Sequence, residues 1–196
     1  MPHNVEIPDY VIERIMAKRG KLHVFDKFEP TKTALVVIDM QNFFVAEVET
    51  AISICPNINK LASVVREKGG VVAWVQLTVA DHKGGPSTWP IYHDYFFTPD
   101  KMKTHKDGLT LGSEGHAMYP DLEIKGVDIV SLKNRFSTFI QGSSDLHGRL
   151  KEKEVQNLLI AGTATNFCCE TSARDAMMIG YRVVMVSDAN AARYDE

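Results

Sequence analysis

Five short apolar runs punctuate the chain: ALVVID at 34–39, VVAWVQL at 71–77, DIVSL at 128–132, QNLLIA at 156–161 and YRVVMVS at 181–187. Each has strand length, and none shows the strict in/out alternation of a half-exposed strand. Between them lie segments with helical spacing. Residues 56–68 carry Ile58, Leu61, Val64 and Val65 on one face, with Pro56 early and Gly69-Gly70 as the stop. Residues 144–152 predict a short helix, and residues 166–179 predict another ended by Gly180. Ahead of the first strand, residues 7–19 place Ile7, Val11, Ile12, Ile15 and Met16 at helical intervals, closed by Gly20, and predict an N-terminal packing helix. Solid Val/Ile/Leu strands alternating with helices mean a parallel sheet covered on both faces. The fold class is α/β, an open doubly wound, Rossmann-like sheet with helices on both faces. Such sheets place their sites beyond the carboxyl ends of the strands. That directs attention to Asp39, to the segment after Leu77, to Lys133 and to residues 162–168.

Residues 78–120 show no clear periodicity and are rich in His, Gly, Pro and aromatic residues, as in DHKGGPSTWPIYHDYFF. A segment this long inside a compact domain is usually functional or disordered. Its aromatic content argues for a lid or pocket wall. The 196 residues, 44% of them hydrophobic, fit a single core. A net charge of −3, with both signs mixed along the chain, offers no basic stripe for nucleic acid. The apolar runs are too short to span a bilayer, and the charged N-terminus lacks the apolar centre of a secretory signal. Three cysteines make a disulfide framework improbable and point to a reducing cytoplasm, with Cys55 as a small buried hydrophobe.

The chemistry concentrates in GTATNFCCETSARDA at 162–176. A thiol in a first helical turn meets unpaired N–H groups and the positive end of the macrodipole, which favour thiolate. Cys169 shares its face with Ala173, Ala176 and Gly180, a stripe of small residues suited to close packing on a sheet. Cys168, turned by about 100°, is left to face the strand ends. Burial of both cysteines as apolar filler is the competing reading. Asp39 ends an apolar strand, either as a cap for the next turn or as a general base beside a thiol. Lys133, after the third strand, would hold a thiolate and a developing negative charge, with Arg135 a competitor for that role. His82, His93, His105 and His116 lack the short spacing of a zinc site, and no glycine-rich nucleotide fingerprint follows any strand.

In their order, ALVVIDMQNFF, LKNRFSTF and GTATNFCCETSARDA resemble the isochorismatase-like cysteine hydrolase superfamily from about residue 30 onward. The resemblance implies a domain over 31–196 behind a helical extension at 1–30. It implies an Asp39–Lys133–Cys168 triad and a cis peptide between Thr163 and Ala164, with the Ala164 and Cys168 N–H groups as an oxyanion hole. Within the superfamily the chain is most similar to ureidoacrylate and carbamoyl amidohydrolases, through DMQN, Gln76 at its strand end, Gly84-Gly-Pro86 and the Lys-x-Arg-x-Ser at 133–137. The implied activity is cleavage of a C–N bond in a small amide, ureido or carbamoyl substrate through a Cys thioester. Alternatives are a nicotinamidase-like or isochorismatase-like hydrolase, or a silent or redox-responsive binding protein. The Asp-x-His motif of the nicotinamidase branch is absent at Asp81-His82-Lys83, so no metal is expected, and no cofactor. Pocket candidates are Phe44, Gln76, Trp89, Tyr92, His93, Phe136 and Asn166. The implied partners are a small-molecule substrate and further copies of the chain, as a dimer or tetramer, with neither nucleic acid nor membrane.

Overall fold

The computed structural model describes residues 6–192. The predicted extension and hydrolase domain therefore fall outside the described residues at 1–5 and 193–196. Five strands form one parallel sheet: β1 (Thr33–Ile38), β2 (Val71–Leu77), β3 (Ile129–Lys133), β4 (Asn157–Thr163) and β5 (Arg182–Ala191), in the spatial order β3-β2-β1-β4-β5. The chain winds outward from β1 through β2 to β3, then returns to the other side of β1 for β4. The crevice between the carboxyl ends of β1 and β4 is therefore the topological switch point.

The central strands are apolar throughout because both faces are covered. Every residue of β1 is buried. Its Ala34, Val36 and Ile38 pack with Leu146, Leu150, Ala173 and Ala176 on one side. Its Leu35 and Val37 pack with Ile58, Ala62, Val65 and Trp74 on the other. The first set comes from α7 (Leu146–Glu152) and α8 (Glu170–Met178), the second largely from α4 (Cys55–Glu67). β3, on an edge, does alternate: Ile129, Ser131 and Lys133 point inward while Val130 and Leu132 are exposed.

Several elements differ from the sequence reading. The helix α1 (Asp9–Arg19) forms, capped by Gly20 at φ 72°, but buries none of its residues, so it is not a packing helix. Its apolar positions are interleaved with Glu, Arg and Lys, which leaves no continuous stripe to dock. Val64 projects to solvent from α4, whose buried face runs through Ile58, Ala62 and Val65. Gly180 lies exposed beyond α8 at φ 105° and so ends the helix rather than packing it. Two short helices, α2 (Asn42–Val45) and α3 (Glu49–Ser53), follow β1. The segment 78–120 contains α5 (Pro90–Phe96) and α6 (Pro99–Gly108), each opened by a proline in its first turn.

Candidate active site

Three buried polar side chains converge beyond the strand ends. Asp39 directly follows β1 and adopts a left-handed backbone at φ 53°, with its N–H donating to Val75 O at 2.9 Å. Aspartate tolerates this conformation better than most residues. Lys133 closes β3, and its carbonyl accepts the Thr78 N–H at 2.8 Å. Its stem crosses above β2, so that Nζ stands 2.8 Å from Asp39 Oδ2, donates to Cys168 Sγ at 3.3 Å and donates to Arg135 O at 3.0 Å. The ammonium thus makes two hydrogen bonds and one close ion pair. Asp39 and Lys133 are each 1% exposed and Cys168 is 6% exposed.

Burial is the largest single influence on each of the three. It raises the Asp39 pKa, against the pull of the Lys133 charge. It works against the Lys133 ammonium, but the charges and hydrogen bonds of Asp39 and Cys168 outweigh it, and the lysine pKa is raised. Both pKa values thus move up: Lys133 is held protonated by the charges of Asp39 and Cys168, and Asp39 is a strengthened base, because its desolvation is complete. The Cys168 thiol is pushed up by burial and then by the Asp39 carboxylate, with Lys133 opposing. This reverses the expectation of a ready thiolate. The lysine favours the thiolate, but desolvation and the neighbouring carboxylate outweigh it. A thiolate arises here when Asp39 accepts the proton.

The turn that carries the cysteine is wound more widely than an α-helix. The Cys169 N–H reaches back five residues to Ala164 O at 3.2 Å, a π-type turn over Thr165–Cys169 that precedes α8. Such turns are frequent at functional sites. The Thr163–Ala164 peptide ahead of it is cis. Cys169 is fully buried, with its Sγ toward Ala161 O at 3.9 Å, on the packed side with Ala173 and Ala176. Cys55 is likewise buried, at the start of α4.

An aromatic wall stands beside the triad. Trp89 stacks on Tyr92 (centroids 4.6 Å apart) and meets Phe136 edge-on at 4.9 Å, while Tyr92 meets Phe136 at 5.0 Å. Burial and the nearby Cys168 push the Tyr92 phenol up to about 12, with Lys133 opposing. Trp89, Tyr92 and Phe136 are thus brought together at the site. The other pocket candidates make different contacts. Phe44 packs on Phe43 and His105. The His93 ring is 1% exposed and bonds Ser87 Oγ at 2.7 Å and His105 Nδ1 at 3.3 Å, inside the lid. Asn166 is exposed, in a cavity of about 800 Å³ bordered by His23, Phe25 and Arg174. Gln76 gives its amide N–H to His116 O at 2.8 Å.

That last contact belongs to a network the sequence reading did not find. Gln41 donates to Leu77 O and His116 O at 3.1 and 3.0 Å and accepts the Leu77 N–H at 2.7 Å. Thr78 Oγ1 meets His116 Nε2 at 2.8 Å. All four side chains are buried, and together they tie the ends of β1 and β2 to the long segment. The available signal was Gln41 itself, a polar residue three positions beyond an apolar strand.

Comparison with known proteins places this geometry. The isochorismatase domain model matches residues 33–196. The chain belongs to the isochorismatase-domain family of hydrolases. A protein of Arabidopsis thaliana named a probable inactive nicotinamidase is 33% identical over 171 residues, covering 84% of this chain and 83% of that protein. The ureidoacrylate amidohydrolase RutB of Cronobacter turicensis is 29% identical over 182 residues, covering 83% of this chain and 75% of that protein. Among solved structures, a cysteine hydrolase from Pseudomonas syringae pv. phaseolicola superimposes with a TM-score of 0.74 at 26% identity, covering 88% of this chain and 78% of that one. Among the described residues no helix is long and apolar enough to cross a membrane.

Proposed function

We propose that this chain is a cysteine amidohydrolase that cleaves the C–N bond of a small amide, ureido or carbamoyl compound. The observation that carries the reading is the placement of Lys133 Nζ against both Asp39 Oδ2 and Cys168 Sγ in a buried site at the switch point. Asp39 takes the Cys168 proton, and Sγ attacks the substrate carbonyl. The Ala164 and Cys168 N–H groups receive the oxyanion, and the Lys133 charge stabilises it. As the C–N bond breaks, Asp39 returns its proton to the leaving nitrogen, giving ammonia or an amine and a thioester on Cys168. Asp39 then draws a proton from water, whose hydroxyl attacks the thioester, and the acid leaves as Sγ regains its proton. No cofactor enters this cycle. The aromatic wall of Trp89, Tyr92 and Phe136 excludes water and supports a planar acyl group.

Similarity to a ureidoacrylate amidohydrolase supports the ureido and carbamoyl branch. Similarity to a protein named as inactive makes a silent scaffold the second reading. The assembled Asp39, Lys133 and Cys168 favour the enzyme. The test is an ammonia-release screen of ureido, carbamoyl and simple amides with wild type and Cys168→Ser. Turnover that falls by at least about 10³-fold in the variant supports the reading. Turnover that survives in Cys168→Ser, or a wild type that alkylating agents cannot label at Cys168 at any pH, sinks it.

A further inference from the structure

The guanidinium of Arg135 makes no ion pair among the described residues. Its Nη1 donates instead to three oxygens: Thr88 O at 3.0 Å, Asn134 O at 2.7 Å and Asn134 Oδ1 at 3.3 Å. Its Cζ lies over the Trp89 ring, 5.1 Å from the centroid. Tyr92 is stacked on the same ring at 4.6 Å. Trp89 thus has both the cation and Tyr92 packed against its ring. The main-chain oxygen of Arg135 meanwhile accepts from Lys133 Nζ. One residue thus touches the triad lysine with its backbone and the lid with its side chain. Thr88 also donates to Val79 O and Thr78 O within its own segment.

From this juxtaposition we infer that Arg135 is a positioning residue, the latch that closes the segment of Thr88, Trp89 and Tyr92 over Lys133 and Cys168. The inference rests on the hydrolase reading for its purpose but not for its test. A guanidinium suits the task because it is planar, stacks on an aromatic face and directs donors in a fixed fork. Lysine would keep the charge and lose the fork and the stack. Among the described residues no other cation stacks on the aromatic wall, so this contact is the cationic tie between the wall and the loop after Lys133. Removal of Arg135 therefore raises the population in which the lid stands open.

The experiment compares wild type, Arg135→Ala and Arg135→Lys by two readouts that need no substrate. Acrylamide quenching of tryptophan fluorescence reports Trp89, since Trp74 is fully buried. N-ethylmaleimide labelling, mapped by mass spectrometry, reports access to Cys168. In Arg135→Ala the Cys168 labelling rate rises about tenfold, the scale set by loss of a stacked, charge-assisted contact, and Trp89 quenching rises with it. Arg135→Lys behaves like the alanine variant. If both readouts match wild type in folded Arg135→Ala, or if lysine restores both, the latch is overturned. Should Arg135→Ala fail to fold, Trp89→Leu removes the other half of the stack, and the same tenfold rise in labelling is expected. An unchanged rate there overturns the proposal. If Cys168 proves unreactive in every form, the hydrolase reading falls and quenching alone decides the latch: a rise supports it, and no change overturns it.

Discussion

A β-carbon on Gly162 would lie 2.1 Å from the carbonyl oxygen of Ile38. The two residues are register partners at the switch point, one before Asp39 and the other six before Cys168. The close approach, together with φ 119° at Gly162, brings the two catalytic loops within reach of each other. Gly162→Ala adds both a steric overlap with backbone and an unfavourable dihedral. It is expected to cost about 3 kcal/mol or more. Urea denaturation should show a lowered midpoint or no cooperative transition. A midpoint within experimental error of wild type would mean that β1 and β4 can separate without loss, and the geometry of the triad would need another origin.

Asp39→Asn should move two observables in opposite directions. The base role proposed for Asp39 is worth about 10²- to 10⁴-fold in turnover, which the asparagine variant should lose. As a neighbouring charge, Asp39 raises the Cys168 pKa while Lys133 lowers it. Without Asp39 only the lysine remains, so the thiol pKa falls and alkylation at pH 7 speeds up, by about tenfold for each unit of the fall. Parallel loss of both activity and alkylation in a folded variant would show that proton transfer to Asp39, and not its charge, governs the reactivity of the thiol. Lys133→Met should slow alkylation, because the same balance then runs the other way.

What the sequence disclosed follows from how each residue is solvated. β1, β2 and β4 were legible because strands covered on both faces contain little else but apolar residues. Asp39 stood out because it directly follows such a run, and Lys133 because it ends the short edge strand β3. The helices α5 and α6 escaped notice because their inward faces use His93 and His105, polar residues packed among Phe43, Tyr92 and Phe97. Histidine in a core removes the apolar period on which helix reading depends. The thiol of Cys168 was misjudged for a related reason: a sequence displays charges and dipoles but not the depth at which they lie. The N-terminal helix shows the converse, since an apolar spacing at 7–19 said nothing of whether a surface exists to receive it.

The same buried histidines give the lid a pH response. Burial lowers the His105 pKa to about 4, helped by the charge that His93 would carry, and lowers His93 as well, where Trp89 O and Asp94 oppose and Lys106 assists. In the unfolded chain both titrate near about 6.5. Between these values the unfolded state binds more protons, so stability rises with pH and is lost as pH falls from about 6.5 towards 4. His105→Phe keeps a ring between Phe43 and Phe97 and removes one titrating group. Its urea midpoint should fall less than that of wild type between pH 7 and pH 4.5. Equal slopes would show that His105 stays solvated and that the acid sensitivity arises elsewhere.

Far from the site, Asp128 ties α4 to β2 and β3. Its Oδ1 accepts from Arg66 Nε at 2.8 Å, and its Oδ2 accepts from Arg66 Nη2, Trp74 Nε1 and the Lys125 N–H at 2.7, 2.8 and 2.9 Å. Burial alone would raise its pKa, but the Arg66 fork with the Lys125 and Trp74 donors lowers it. A depressed carboxylate contributes stability that is complete above its unfolded pKa, about 3.9, and is lost as pH falls through the folded value. Asp128→Asn leaves Arg66 without its partner and should cost about 3 kcal/mol at pH 7. The gap between the two proteins should hold from pH 7 to pH 5 and narrow below about pH 4, as the wild-type carboxyl itself takes up a proton. Urea titrations at these pH values measure the gap directly. A gap that stays constant down to pH 3 would mean that Asp128 acts through shape and hydrogen bonding alone, and that its charge adds nothing to the hold of α4 on the sheet.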